Sequence, residues 1–378
     1  MGSGFQTVNS FVLPDYGWGS KCLFLPGCKK ALVLYAHRAL FIADMMRGKY
    51  DGEPWEISEH DWIDYKTIIV ETDDIFFNCK ENQFIYRLDL RYGNLTTVVG
   101  NVKNSNSAPL AHHGAYLAYV SGNNVNIYSL TENRQITSIA SNTDPNSKIL
   151  FHPSGEFYIF MNSYKIIAYR TVTGIKLWEM NPSEWFTRGD YWGFTPDGRY
   201  FILCPYEESI RVCDSFTGAK LATFRKGNDD NVTEAHLSSD GKLLIASSCD
   251  GKLRVWDMEK AQKLSLDGTY KPNTYGEDTI VLKCKMDGHK EKTIYSVSPS
   301  PDFRRAVTRD ERTFYLWDIQ GCRLLDQFSI EQPIDDYKII WHGATASLFV
   351  AENTDGVSFD RPKYNGRPYV KISEINII

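Results

Sequence analysis

Residues 243–260, LLIASSCDGKLRVWDMEK, consist of two apolar-rich segments separated by a Cys-Asp-Gly turn. Each segment is short and bounded by turn residues, so the stretch predicts two antiparallel strands joined by a tight connection. The second segment ends in Trp256 and Asp257. Whether this pattern recurs along the 378 residues decides the fold, because regular recurrence is typical of repeat architectures.

The pattern recurs eight times. A full copy contains an apolar segment, a Pro/Asp/Gly turn, a second segment, a short polar turn and two further segments. The residues that precede the first turn of each copy are Leu25, Val70, Leu110, Phe151, Phe194, Leu237, Pro299 and Trp341. Successive positions lie 40 to 45 residues apart, except for a gap of 62 that indicates an insertion in the sixth copy.

Four short strands at this period predict a four-stranded antiparallel sheet for each copy. Helical periodicity is not sustained anywhere in the sequence, so the predicted fold class is all-β. A single sheet of this kind cannot bury both faces, and radial stacking of neighbours supplies the core. We therefore expect residues 1–378 to form a single β-propeller domain of eight blades, or of seven if the weak first or second copy is not a blade.

Three segments carry a family resemblance: Val255-Trp256-Asp257, Leu316-Trp317-Asp318 and Gly288-His289. They resemble the signatures of the WD40-repeat β-propeller family. In the seventh copy, the residues at the positions of that family's buried hydrogen-bond set are His289, Thr308, Asp310 and Trp317. The resemblance implies that these four residues have a structural role, an imidazole held between the Asp and the Trp N–H.

The diagnostic residues fade away from the seventh copy. The sixth copy keeps Ser248, Asp250 and Trp256 but has Gly-Asn at 227–228 in place of Gly-His, and the fifth keeps only Cys-Asp at 213–214. The other copies have lost the dipeptide, so the resemblance implies a divergent member of the family.

The resemblance also implies how the ring of blades closes. In such propellers the first segment of each copy is the innermost strand, and the last blade often takes its outermost strand from the other end of the chain. The eighth copy supplies only three segments, at 337–342, 345–350 and 369–375. Residues 5–13 lie upstream of the first copy and are rich in β-formers, so we expect them to complete the last blade and protect its edge.

Composition limits the function classes. The 42 basic and 47 acidic residues give a net charge of −5, which disfavours a protein that mainly binds phosphate backbones, and no DNA specificity is expected. No apolar run has the roughly 20 residues that span a bilayer, and the N-terminus lacks a secretory pattern, so membrane insertion is not expected. The expected location is the cytoplasm or the nucleus.

A search for reactive chemistry finds no phosphate-binding loop, dinucleotide motif or hydrolase motif, so the chain is not expected to be an enzyme or to bind a cofactor. His112 and His113 fall in a predicted solvated turn, and no third ligand follows at metal-binding spacing. No C-x-x-C is present among the eight cysteines, which are predicted to be free thiols in the core.

The predicted binding surface is the top face, from which the links between the fourth and next first strands and between second and third strands emerge. Its candidate residues are Tyr16, Trp18, Arg38, Trp62, Trp185, Phe186, Arg188, Phe359, Arg361 and Tyr364. The last three belong to a long top-face loop at 352–368. Aromatic and arginine side chains dominate protein interaction hot spots. The alternative is that these aromatic residues pack on the blades as loop anchors.

The sequence therefore favours a non-catalytic scaffold or adaptor within a multi-subunit complex, with a peptide or partner domain bound on the top face. The alternative is an RNA or ribonucleoprotein-binding propeller that uses stacking and arginine contacts. An enzyme in the central channel is a third class, but Trp192, Glu234 and His236 on the first strands give no convincing acid–base pair. The insertion at 258–279 is a bottom-face link, expected to be a mobile loop that is either a second contact site or tolerated extra length.

Overall fold

The structure is a computed structural model of the chain. It describes residues 4–14, 21–35, 39–57, 63, 68–71, 73–79, 83–103, 109–144, 147–181, 191–204, 209–225, 231–266, 281–289, 293–331, 334–353 and 369–378. Two compact units are distinguished, one of residues 1–4 and 146–329 and one of residues 5–145 and 330–378.

The second unit contains the N-terminal strand, the first three blades and the last blade. The strands of its N-terminal part are β1 (Phe5–Pro14); β2 (Lys21–Phe24), β3 (Lys30–Tyr35), β4 (Ala39–Asp44), β5 (Lys49–Tyr50) and β6 (Trp55–Glu56) in blade 1; β7 (Ile69–Val70), β8 (Asp74–Asn78), β9 (Ile85–Asp89) and β10 (Asn94–Val99) in blade 2; and β11 (Leu110–His113), β12 (Tyr116–Ser121), β13 (Asn124–Ser129) and β14 (Arg134–Ala140) in blade 3.

The first unit contains blades 4 to 7, and blade 8 follows in the second unit. The remaining elements are β15 (Lys148–Phe151), β16 (Phe157–Met161), β17 (Ile166–Arg170) and β18 (Lys176–Met180) in blade 4; β19 (Tyr191–Phe194), β20 (Tyr200–Cys204), β21 (Ser209–Asp214) and β22 (Lys220–Arg225) in blade 5; β23 (Val232–Leu237), β24 (Leu243–Ser248), β25 (Lys252–Asp257), α1 (Met258–Leu266) and β26 (Leu282–Asp287) in blade 6; β27 (Ser296–Pro299), β28 (Arg305–Arg309), β29 (Thr313–Asp318) and β30 (Arg323–Ser329) in blade 7; and β31 (Ile334–His342), β32 (Thr345–Asn353) and β33 (Tyr369–Ile377) in blade 8.

Every blade is an antiparallel sheet; in blades 1 to 7 the strands follow chain order from the inner to the outer edge, and in blade 8 the order is β31, β32, β33 and then β1. The predicted fold class, an all-β propeller of eight four-stranded blades, is confirmed, and the alternative of seven blades is wrong. Blade 1 differs in one detail, since its outer strand is split into β5 and β6, which both pair with β4.

The predicted closure of the last blade by the N-terminal strand is also confirmed. β1 pairs antiparallel with β33 from Phe5 opposite Ile377 to Pro14 opposite Tyr369, with one register shift between Thr7 and Asn9. The strand is one residue longer than predicted. Leu13 is fully buried there, in a cluster with residues of blades 8 and 1 such as Phe349.

The apolar core lies between successive blades. The cluster between blades 5 and 6 joins Ile202 and Val212 to Leu244 and Trp256, and comparable clusters join blade 6 to blade 7 and blade 1 to blade 2. Because each sheet is apolar on both faces, a blade gains its core from the neighbours on both sides.

Acidic side chains on two inner strands accept backbone hydrogen bonds from the inner strand of the next blade. Each inner strand is a sheet edge and therefore carries backbone N–H groups that no strand of its own blade can satisfy. The Val297 amide donates to Glu234 Oε2 at 2.8 Å, between blades 6 and 7, and the Phe24 amide donates to Asp336 Oδ2 at 2.8 Å, between blades 8 and 1. Burial raises the pKa of Asp336, although the two amides that bond it act in the opposite direction.

Two expectations about the sixth blade are corrected. The insertion begins with a helix, α1, rather than a loop, because Asp257 caps it by accepting the Lys260 amide at 2.8 Å and because Met258 and Ala261 pack into the core against Phe224. Residues 267–280 of the insertion lie outside the described residues, and the fourth strand begins at Leu282 rather than at residue 280.

The expectation that all cysteines are free thiols is wrong for one pair. Cys284 of β26 is joined by a disulfide to Cys322, which follows β29 in the next blade, with the two Cα atoms 5.9 Å apart. Five of the other six cysteines are buried. Sequence spacing carried no sign of this pair because the two residues belong to different blades.

The closing strand gives a first prediction. Leu13→Ala removes a fully buried side chain and is expected to lower the free energy of unfolding by about 2–5 kcal/mol. Val8→Ala is the matched control on the same strand, since Val8 is 55% exposed, and it should change stability little. The urea midpoints of the purified variants give the comparison, and equal midpoints would show that β1 does not complete the blade.

The Asp336 contact gives a second prediction. Asp336→Ala removes the acceptor of the Phe24 amide and should cost about 1–3 kcal/mol, the usual penalty for an unsatisfied buried donor. Asp336→Asn keeps an oxygen acceptor and loses a buried charge, so at pH 7 it should match or exceed the wild-type stability. Urea unfolding of both variants measures the change in the free energy of unfolding. Equal losses for the two substitutions would contradict the assignment.

Candidate functional site

The top-face residues predicted from the sequence all fall outside the described residues. They are Tyr16, Trp18, Arg38, Trp62, Trp185, Phe186, Arg188, Phe359, Arg361 and Tyr364. Most of the long loop predicted at 352–368 also falls outside the described residues, which stop at Asn353, the end of β32, and resume at Tyr369, the start of β33. These residues therefore stay a prediction.

The described part of the top face presents further aromatic residues. Tyr295, in the link that leads into β27, is 49% exposed, and the Arg309 guanidinium lies 5.3 Å from the centre of its ring. The Tyr295 amide also donates to the Arg309 carbonyl at 2.7 Å, which fixes the two residues against each other. Tyr164, in the turn between β16 and β17, is 74% exposed. An exposed tyrosine beside an arginine is the composition of an interaction surface.

Sequence analysis missed these residues for a simple reason. Tyr295 precedes a first strand and Arg309 ends a second strand, so the rule that assigns links to faces places both at the top. The candidate top-face loops were chosen because they contain tryptophan or phenylalanine. Applying the same rule to tyrosine would have found them.

The four residues of the resemblance in blade 7 form a buried network. Trp317 Nε1 lies 2.7 Å from Thr308 Oγ1, Thr308 Oγ1 lies 2.7 Å from His289 Nε2, and His289 Nδ1 lies 3.1 Å from the Gly251 carbonyl of blade 6. The donors are determined by chemistry, since an indole N–H only donates and a carbonyl only accepts. Trp317 therefore donates to Thr308, Thr308 to His289 Nε2, and His289 Nδ1–H to Gly251.

This direction of hydrogen bonds requires a neutral imidazole. A protonated His289 would carry a hydrogen on Nε2 that points at the Thr308 hydroxyl, and the threonine hydrogen would lose its acceptor. Burial is the main cause that lowers the pKa of His289, to about 4, although the Gly251 carbonyl and nearby aspartates act in the opposite direction. Protonation would therefore remove the bond from Thr308 to His289 Nε2, whereas the Nδ1–H bond to the Gly251 carbonyl of blade 6 would remain.

Asp310 has a different role from the one implied by the resemblance. Its carboxylate accepts the Tyr315 hydroxyl at 2.6 Å and the Thr313 amide at 2.8 Å. The Trp317 N–H bonds Thr308 rather than the imidazole. The expected direct arrangement, with the imidazole between Asp and Trp, is replaced by a relay through Thr308.

Blade 6 uses a buried ion pair in the equivalent place. Arg254, which aligns with Tyr315, donates Nη2 to Asp250 Oδ2 at 2.6 Å, and the two side chains are 2% and 4% exposed. Burial is the largest influence on Asp250 and raises its pKa, but hydrogen bonds from Arg254 and Ser248 and the charge of Arg254 lower it to about 2. Among the described residues, Trp256 Nε1 has no hydrogen-bond partner.

A concavity lies on the opposite, bottom face of blades 5 to 7, and we call it the blade 5–7 cavity. Its volume is about 460 Å³, within the usual range for ligand sites. The apolar side chains that line it are Phe194, Pro196, Leu237, Pro299, Pro301 and Phe303, and the polar ones are Thr195, Asp197, His236, Ser238, Ser239 and Ser298.

Three equivalent turns between first and second strands build this cavity. In each, a hydroxyl bonds the aspartate two residues later: Thr195 to Asp197 at 2.6 Å, Ser238 to Asp240 at 2.7 Å, and Ser300 to Asp302 at 2.6 Å. Each hydroxyl also accepts a backbone amide near the start of the second strand. The turns are therefore rigid, and the Thr195, Ser238 and Ser300 hydroxyls are already bonded within them.

The blade 5 turn also meets blade 4. His152 Nε2 lies 2.8 Å from the Gly198 carbonyl, and His152 Nδ1 lies 2.8 Å from Ser154 Oγ. Gly198 has a φ of 72°, and a Cβ at that position would approach His152 Nε2 to 2.4 Å. Glycine is therefore required here for both backbone conformation and space.

His236 lies on the inner wall of the cavity, beside Glu234. His236 Nε2 lies 3.0 Å from Glu234 Oε1, and the other carboxylate oxygen of Glu234 accepts the Val297 amide. The sequence offered no confident acid–base pair at these positions, and the structure brings the two side chains together. Among the described residues, no group of three or more His, Cys, Asp or Glu has metal-binding geometry.

The prediction for His112 and His113 is corrected. Both residues belong to the inner strand β11 and not to a solvated turn. The His112 side chain is only 8% exposed, lies 3.2 Å from Glu71 Oε1 and stacks on Phe76 with ring centres 4.5 Å apart. The inner strand of blade 3 is thus tied to blade 2.

Comparison with known proteins supports the repeat assignment. The family described as "WD domain, G-beta repeat" matches residues 218–257 and 281–318, which correspond to the end of blade 5 with most of blade 6 and to blade 7 with the strand before it. WD repeat-containing protein 82 of Drosophila melanogaster is 29% identical over 75 residues, 19% of this chain and 24% of that protein. U3 small nucleolar RNA-associated protein 12 of Saccharomyces cerevisiae is 29% identical over 113 residues, 29% of this chain and 11% of that protein.

Similar solved structures extend over the rest of the chain. The C-terminal WD40 domain of Sif2 has a TM-score of 0.64 at 9% identity and covers 100% of this chain and 99% of its own. The computationally designed Ika8 protein has a TM-score of 0.62 at 14% identity, covering 96% and 99%. Hsv2 of Kluyveromyces lactis has a TM-score of 0.55 at 14% identity, covering 83% and 100%. At these identities the likeness shows the fold alone.

The His289 network predicts a pH dependence of stability. Because the folded pKa of about 4 lies below the ordinary value of 6.5, the contribution is complete above pH 6.5 and is lost as the pH falls toward 4. The full loss is on the order of 3 kcal/mol. The free energy of unfolding, measured in urea, should therefore fall more steeply from pH 7 to pH 4 for the wild type than for His289→Gln. Parallel profiles would contradict the neutral relay.

Proposed function

Because this chain is a divergent WD40-repeat β-propeller, we propose that it is a non-catalytic scaffold or adaptor that binds other proteins within a multi-subunit complex. The proposed partner element is a peptide or a domain held on the top face. Rigid blades with variable loops are suited to such binding, since function in this fold resides in the loops and surfaces.

The observation that carries the proposal is how the described reactive residues are used. His289, Thr308 and Asp310 in blade 7 are bonded within the blades, as are Asp250 and Arg254 in blade 6. These side chains stabilise the architecture and have no free geometry for reaction. Because these buried polar groups stabilise the structure, we infer that the protein acts through its surfaces.

The exposed top-face residues support the location of the site. Tyr295 and Arg309 present a fixed aromatic and arginine pair in blade 7. The sequence predicts that Trp18 and Trp62 belong to links of the corresponding type in blades 1 and 2. Aromatic anchors of this kind bury much area at little entropic cost.

A second candidate is an RNA or ribonucleoprotein-binding role. The name of the yeast relative, which includes association with a small nucleolar RNA, favours it. Tyrosine and arginine side chains on one face could stack on unpaired bases. The net charge of −5 opposes it.

Two further expectations belong to the same proposal. We place the chain in the cytoplasm or the nucleus and treat residues 1–378 as one domain. The Sif2 domain, which covers the whole chain, supports the single domain. Among the described residues, no helix has the length and apolar character that a membrane span requires.

The test is affinity purification of the tagged full chain with crosslinking and mass spectrometry. Crosslinks to partner proteins should fall on the links at 14–20, 59–65 and 352–368. Trp18→Ala with Trp62→Ala should reduce recovery of these partners by about ten-fold or more, which corresponds to 1.4 kcal/mol. Tyr92→Ala is the matched control, since Tyr92 is an exposed aromatic residue in a bottom-face link and should leave recovery unchanged.

Full recovery with the double variant would rule out these two tryptophans as the site. RNA binding is separated in the same experiment by an RNA column. Retention that falls steeply with added salt, together with loss of partner proteins after ribonuclease treatment, would favour the second candidate.

A further inference from the structure

The blade 5–7 cavity is a built concave site on the face opposite to the proposed top-face site. Three rigid turns form it, and Pro196, Ser239 and Pro301, which occupy the same position in the three turns, line it and are exposed. These three residues therefore surround the mouth. Below them lie buried residues such as Leu237 and Phe303.

Phe303 lines the cavity in a strained backbone conformation. The equivalent turns of blades 5 and 6 have Gly198 and Gly241 at this position, and Phe303 adopts the same left-handed backbone, with a φ of 54°. A bulky residue in this region is strained. The strain is accepted at a position where the ring packs on the core of blade 7 and lines the cavity.

The chemistry of the lining argues against a charged small molecule. Among the described residues, Asp197 is the one carboxylate that lines the cavity, and its Oδ1 already accepts the Thr195 hydroxyl and the Arg199 amide. No lysine or arginine lines the interior described here. A phosphate or carboxylate would therefore lose its water without gaining a counter-charge.

The same lining suits a peptide. Apolar walls match an aliphatic or aromatic side chain, while the Ser239 hydroxyl can donate to or accept from backbone amides. The three turns and the residues just after them carry exposed charges of both signs in equal number, in the pairs Asp197 and Arg199, Asp240 and Lys242, and Asp302 and Arg304. Flanking peptide residues of either sign could pair with these charges.

We propose that the blade 5–7 cavity is a second binding site, which takes an apolar side chain the size of leucine, isoleucine or phenylalanine from an extended peptide of a partner protein. The site does not depend on the top face. A volume of about 460 Å³ accommodates such a side chain with the adjoining backbone, as in other grooves that bind short motifs through one or two anchors.

The test begins with a phage-displayed library of random peptides selected on the immobilised full chain. Enriched peptides should share one aliphatic or aromatic residue, and the affinity of a synthetic copy is then measured by fluorescence polarisation. Ser239→Trp and Pro301→Trp block the mouth and should each weaken binding by about ten-fold or more. Pro153→Trp is the matched control, because Pro153 is exposed at the same turn position in blade 4 and does not line the cavity.

Several outcomes would overturn the proposal. They are the absence of any enriched peptide, unchanged affinity for both mouth variants, and equal weakening by Pro153→Trp. Unchanged thermal unfolding of the variants excludes a folding defect. Binding that is lost in Trp18→Ala with Trp62→Ala but kept in Ser239→Trp would assign the peptide to the top face, so failure of this proposal is distinct from failure of the proposed function.

Discussion

A four-stranded sheet with two apolar faces has to be covered on both sides, and the rest of this structure depends on that constraint. In blade 4 all five residues of β16 are buried, although successive side chains point to opposite faces of the sheet. Neither face is left for water. The core therefore lies between blades, and polar contacts such as His289 to Gly251 and Glu234 to Val297 cross the same boundaries to fix how one blade meets the next.

Much of this architecture could be predicted because it is written in short-range patterns. Apolar segments of strand length, separated by turn residues at a near-constant period, were sufficient to favour eight blades, and the family resemblance added the closing strand β1. The errors concern features that depend on tertiary contacts. The helix α1 has only nine residues and is stabilised by the Asp257 cap and by packing on Phe224, while the Cys284–Cys322 pair arises where two neighbouring blades meet.

The sites were less predictable than the fold. Resemblance pointed to the four residues of the blade 7 network, but the partner of each hydrogen bond follows from geometry, and Thr308 turned out to lie between His289 and Trp317. The blade 5–7 cavity had no signal in the sequence. Its residues come from three ordinary turns that lie some forty to sixty positions apart, and only the folded arrangement of their blades creates a concave surface.

The pairing of β1 with β33 also sets an order of events during synthesis. Ser10 and Ser373, whose hydroxyl oxygens lie 3.2 Å apart, are separated by 363 residues. At ordinary rates of translation the first strand leaves the ribosome on the order of 20–70 s before its partner strand exists. Throughout that interval β1 is an uncompleted β-edge of the nascent chain, so shielding by a chaperone or slow collapse of the early blades would protect it until β33 is made.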